Sequence, residues 1–175
     1  DGFVKRALPY KFRWVILSEM KSKFVLFAAL ISLSVSVEAD PKLKPIFTGK
    51  DLSGWAVPKG NDKAGWYSAE KGVLKIKNGP DKKGSILWTK KKFRNFVMEF
   101  DFRFGEGTVD SGVHVRNKDQ IQIGISGSLK RDMTCSPYIP GKGYPVEAKN
   151  IKKLLKPKDW NTMKIQAVGK QYTVW

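Results

Sequence analysis

Cysteine is nearly absent from this chain of 175 residues. Cys135 stands alone, so no intrachain disulfide can brace the fold and stability must come from an apolar core. Histidine is equally scarce. His114 is the only one, which leaves a Cys–His nucleophile pair without support from any spacing and argues against a zinc site built on imidazole and thiolate ligands. After residue 40 the chain also lacks a sustained helical repeat, and its longest uncharged run, residues 24–37, is too short to span a bilayer comfortably. Acidic residues are outnumbered by 33 Lys and Arg to 16 Asp and Glu, a net charge of +17. Such a charge raises nucleic acid as a partner, but the basic residues are scattered. The densest groups, Lys82-Lys83, Lys90-Lys91-Lys92 and Lys152-Lys153, flank turns and strand starts, where they discourage edge pairing. No nucleic-acid partner is expected.

What is present favours strands. Ten Phe, six Trp and five Tyr come with sixteen Gly and nine Pro, the composition of short β-runs joined by tight turns around one core. Met20-Lys21-Ser22-Lys23 followed by the uncharged run and Val37-Glu38-Ala39 reads as a signal peptide over residues 20–39, cleaved after Ala39. The expected location is therefore secreted or periplasmic, with no membrane attachment after cleavage. Residues 1–19 read as a non-native upstream extension, and residues 40–175 as one domain. Because the alternating run 171–175 stops without a turn, the closing C-terminal strands are expected to be missing.

Alternation is clearest over residues 96–104. Phe96, Met98, Phe100, Phe102 and Phe104 share one face, and Glu99, Asp101 and Arg103 lie on the other. Further strands are expected at 66–69, 73–77, 85–89, 109–116, 163–168 and 171–175, with a helix over 146–155 ended by Pro157. Val113 and Val115 should point inward with Ile121, Ile123 and Ile125. A hairpin through Asn117-Lys118-Asp119 then places His114, Arg116, Gln120 and Gln122 on one polar face, with Asp101 and Arg103 close by. Tyr138, Pro140, Gly141, Lys142, Gly143 and Tyr144 form an aromatic-flanked loop suited to rim such a face.

Several phrases occur together in order: Phe47-Thr48-Gly49-Lys50-Asp51-Leu52-Ser53-Gly54-Trp55, Phe96-Val97-Met98-Glu99-Phe100-Asp101-Phe102-Arg103, Asp110-Ser111-Gly112-Val113-His114-Val115-Arg116, Gln120-Ile121-Gln122-Ile123 and Asp159-Trp160-Asn161-Thr162. In these the chain resembles the 3-keto-disaccharide hydrolase domain family. The resemblance implies an all-β, concanavalin A-like jelly-roll sandwich of two antiparallel sheets, related in fold to laminin G modules. Two departures stand out: many members carry Glu where Gln120 stands, and a Gly-containing phrase where Thr134-Cys135-Ser136-Pro137-Tyr138 stands.

The resemblance also implies a reaction, cleavage of a glycoside whose carbon 3 is a ketone and whose carbon 2 proton is therefore acidic. Such a reaction needs a base, a stabiliser for the enolate oxygen and an acid for the departing oxygen. His114 is the candidate base or metal ligand, Arg116 the enolate stabiliser and Asp101 the carboxylate. Gln120, Gln122, Arg103, Tyr138 and Tyr144 are the candidates for holding a carbohydrate substrate. No cofactor is expected, although an oxygen-rich divalent metal site stays open. Two rivals remain beside catalysis: a carbohydrate-binding module without turnover, and a surface scaffold.

Overall fold

The computed structural model describes residues 43–116 and 118–175. The expected upstream extension and signal peptide lie outside the described residues. The elements in chain order are β1 (Trp55–Ala56), α1 (Asn61–Ala64), β2 (Tyr67–Glu70), β3 (Val73–Ile76), a short 3-10 turn (Pro80–Lys82), β4 (Trp88–Thr89) and β5 (Phe96–Phe102). They continue with β6 (Asp110–Val115), β7 (Asp119–Gly124), β8 (Pro137–Tyr138), α2 (Ile151–Leu154), β9 (Asn161–Val168) and β10 (Gln171–Val174). The protein is an all-β sandwich, as composition and turn chemistry lead one to expect. Its backbone ladders divide into four antiparallel sheets: β10-β9-β5, β6-β7-β8, β2-β3 and β1-β4.

Local hairpins account for β2-β3, β6-β7 and β9-β10, but the central pairing is not local. β5 pairs with β9, Phe100 opposite Met163 and Met98 opposite Ile165. The two strands present matching apolar rows, and neither can bury its row alone. Phe96, Met98, Phe100 and Phe102 join Met163, Ile165 and Ala167 in one cluster that also contains Val115 and Ile121. The β10-β9-β5 sheet and the β6-β7-β8 sheet therefore face each other across the core. Burying each of these large side chains contributes about 1.5–3 kcal/mol before ordering entropy is counted. Phe104 lies beyond the end of β5, half-buried against the same cluster.

Two expectations are corrected. The helix read over 146–155 shrinks to the single turn of α2, because Asn150 adopts a left-handed backbone (φ 60°) that interrupts the helix there, and Val146 and Leu154 are exposed rather than packed. Ile125 does not continue the inward row of Ile121 and Ile123. Gly124 takes φ 92°, a β-carbon there would stand 2.1 Å from the Val109 carbonyl oxygen, and the alternation breaks at that residue. No helix among the described residues is long and apolar enough to cross a membrane.

Candidate functional site

The register of the β6-β7 hairpin decides which side chains share a face. Asp110, Gly112 and His114 lie opposite Gly124, Gln122 and Gln120, and Gln120 lies in turn opposite Tyr138 of β8. Val113–Ile121 and Val115–Asp119 are the alternate pairs, and Val115 and Ile121 sit in the core. Since directly opposed residues project on the same side of an antiparallel sheet, His114, Gln120 and Tyr138 form a row across three strands on the outward face. The shared face expected for His114, Gln120 and Gln122 is present.

That face is tiled by interlocked amides. Gln120 donates from Nε2 to the Ser111 carbonyl (3.1 Å) and to Gln122 Oε1 (2.9 Å); Gln122 donates from Nε2 to Asp110 Oδ1 (2.9 Å) and to the Ile125 carbonyl (3.2 Å). Gly112 makes room for this, because a β-carbon there would stand 2.5 Å from Gln120 Nε2 and 2.6 Å from its Cγ. Gln122 is only 2% exposed and every polar atom of its carboxamide is engaged, so it supports the face from beneath rather than presenting itself to a ligand.

His114 is half-buried, and burial pushes its imidazole below the ordinary value of 6.5, with a weaker opposing effect from a hydrogen bond to the Asp119 backbone. It is therefore neutral at neutral pH. Its Nδ1 has no hydrogen-bond partner among the described residues. Trp88, reaching in from β4, sets its ring 5.6 Å from the imidazole at an interplanar angle of 45°, and Tyr138 and Tyr144 pair at 5.3 Å on the other side of Gln120. Trp88 is 38% exposed. The sequence reading missed both Trp88 and the role of Asp110. The available signals were a tryptophan at an alternate position of the short run 85–89, and the i, i+4 placement of Asp110 with His114 on one strand.

Three expected members of the face lie elsewhere. Arg116 ends β6 in a left-handed conformation (φ 51°), which breaks the alternation that would have set it beside His114. Its guanidinium instead lies over the ring of Tyr172, 5.9 Å from the centroid. The Tyr172 hydroxyl donates to Asp119 Oδ2 (2.6 Å), and burial followed by that bond pushes its phenol up to about 12. Arg116 Nε and Nη2 are buried without hydrogen-bond partners among the described residues. Asp101 sits opposite Thr162 on the outer side of the β10-β9-β5 sheet and accepts the Thr162 hydroxyl at 2.6 Å, so the core separates it from His114. Arg103 stacks over Trp160 at 5.5 Å. Glu99 and Asp101 alternate with the buried row of β5 as expected, but a sandwich has two outward sides, and this run faces the other one.

Cys135 is half-buried, and burial together with the neighbouring Asp132 charge pushes its thiol up to about 11, which keeps it protonated and poorly nucleophilic. Among the described residues no group of three or more His, Cys, Asp and Glu side chains gathers to hold a metal ion.

Comparison with protein families finds one whose description is 3-keto-alpha-glucoside-1,2-lyase-like domain, matching residues 42–175. Comparisons with curated proteins and with solved structures find no match.

Proposed function

The chain belongs to the 3-keto-alpha-glucoside-1,2-lyase-like domain family, and from that premise we propose that the His114 face cleaves glycosides whose carbon 3 is a ketone. The observation that carries this reading is a neutral, half-buried imidazole on an open sheet face, with an indole beside it wide enough to stack on a sugar ring. The ketone acidifies the carbon 2 proton. His114 takes that proton, the C–H electron pair becomes the carbon 1–carbon 2 double bond, and the bond from carbon 1 to the departing oxygen breaks. The imidazolium so formed is the acid available to that oxygen, so the proton balance closes on one residue. Tyr138 brings a phenol hydroxyl to the same face. The leader expected over residues 20–39 would set the reaction outside the cytoplasm.

The placement of Asp101 and Arg116 away from this face favours a second reading, a sugar-binding module without turnover. Incubation with a 3-keto-α-glucoside, with release of the free leaving alcohol followed in time, separates the two. The protein should release it, and His114→Ala should slow release by roughly 10²–10⁴-fold, the usual contribution of a positioned base. Binding without release, or release untouched in His114→Ala, sinks the catalytic reading.

A further inference from the structure

The amides of the His114 face point in one direction only, and the reason lies at the far end of their chain. Asp110 is a carboxylate and accepts hydrogen bonds, so Gln122 must turn its NH₂ group toward it; the Ile125 carbonyl, a second acceptor, demands the same. Gln122 Oε1 is then the only polar atom of that carboxamide left for Gln120, and it accepts from Gln120 Nε2. The Ser111 carbonyl takes the other Nε2 hydrogen of Gln120. Both donors of Gln120 are consumed, and its Oε1 is left without a partner among the described residues, in register with His114 on one side and Tyr138 on the other. A free glutamine can turn its carboxamide over and serve as donor or acceptor. Here four acceptors fix it.

We propose that Gln120 is an acceptor-only reader of the sugar bound at the His114 face, selecting a hydroxyl that donates, and that Asp110 is the positioning side chain that, together with the Ile125 carbonyl, sets this polarity. The proposal rests on the reading of this face as a carbohydrate site and specifies what that site selects. A sugar atom that is itself only an acceptor, such as a ketone oxygen, a ring oxygen or a fluorine, meets lone pairs at Gln120 and is disfavoured there. The 3-ketone is thereby directed away from Gln120, and one of the remaining hydroxyls is directed toward it. Trp88 supplies an apolar surface beside this contact and carries no hydrogen-bonding preference for a particular hydroxyl.

The test is a binding cycle read by calorimetry and tryptophan fluorescence. Its probes are methyl 3-keto-α-glucoside, the unoxidised methyl α-glucoside, and the analogues of each in which one hydroxyl is replaced by hydrogen or by fluorine. In the unaltered protein one hydroxyl should stand out: replacing it by either atom should weaken binding about three- to ten-fold, the range of a single neutral hydrogen bond. In Gln120→Met, similar in length but unable to accept strongly, that difference should shrink to within two-fold. Asp110→Ala should weaken the discrimination, and Asp110→Asn, whose Oδ1 still accepts from Gln122, should restore it. Fluorine analogues that at every position bind as well as their parent hydroxyls, discrimination that persists in Gln120→Met, or no measurable binding of any probe overturns the proposal. If Gln120→Met does not fold, the exposed Asp110 pair decides: equal discrimination in Asp110→Ala and Asp110→Asn also overturns it. Failure of the catalytic reading looks different, since the cycle then closes in binding while no leaving alcohol is released from the keto probe.

Discussion

The two outward faces of the sandwich carry similar residue types and are organised differently. On and beside the β10-β9-β5 sheet Asp101 accepts from Thr162, Arg103 stacks on Trp160 and Lys164 sits over the Trp175 ring at 5.7 Å. The Asp101–Thr162 contact is exposed, and side-chain entropy and solvent leave such a contact worth little. On the β6-β7-β8 sheet the groups are chained. Asp110, Gln122, Gln120 and the Ser111 carbonyl form one hydrogen-bonded line resting on a glycine, with Gln122 sealed from solvent beneath. A line of this kind holds a shape. Residue type therefore does not separate the two faces; the hydrogen-bonded line with Gln122 buried beneath it does.

The sharpest way to break the contrast is Gly112→Ala. The added methyl would stand 2.5 Å from both Gln120 Nε2 and the Ile121 carbonyl. It should cost about 1–3 kcal/mol in unfolding free energy, the usual range for overpacking. Sugar binding should fall about ten-fold or more in the same variant, since the acceptor contact and the fit beside it are lost together. Chemical denaturation and the calorimetric titration would measure both, and wild-type values in each would show that the chained face tolerates disorder.

A smaller effect is expected from pH. Burial holds the His114 imidazole below 6.5, so the folded protein binds its proton later than the unfolded chain does as pH falls. The stability tied to neutral His114 is complete above about pH 6.5, the unfolded value, and declines as pH drops toward and through the depressed folded value. The rate of glycoside release should stay level from neutral pH to below 6.5 before its acid limb begins. A limb centred above 6.5 would assign the titration to another group.

The least effect should come from the other face. Thr162→Ala removes one exposed hydroxyl contact with Asp101 and should change unfolding free energy by no more than about 0.5 kcal/mol, with sugar binding unchanged. A large loss of binding there would dissolve the distinction between the faces.

Much of the architecture was legible from alternation. The β5 row of Phe96, Met98, Phe100 and Phe102 buries as its spacing requires, and the hairpin that unites His114 with Gln120 and Gln122 follows from two period-two runs with a short connection. Backbone geometry at single residues was less legible. Arg116 and Gly124 adopt positive φ, and each ends an alternation that the letters alone extend by another residue or two. Trp88 enters the site from a two-residue strand paired with β1, a distant pairing that no local pattern announces. An amide rather than a carboxylate at Gln120 acquires a physical reason. Its Nε2 faces the Ser111 carbonyl and Gln122 Oε1, and an ionised carboxylate in that pose would turn lone pairs toward both.

The bond from the Tyr172 hydroxyl to Asp119 spans 53 positions of the chain and ties the last strand of one sheet to the start of β7, at the turn of the His114 hairpin. During synthesis that hairpin can pair early, since its two strands are close in sequence. The clasp at its turn must wait for a tyrosine delivered 53 positions later in the chain. The surface bearing His114 thus obtains its final anchor only after β9 and β10 have settled against β5, and a chain halted before that point would carry the imidazole without its full support.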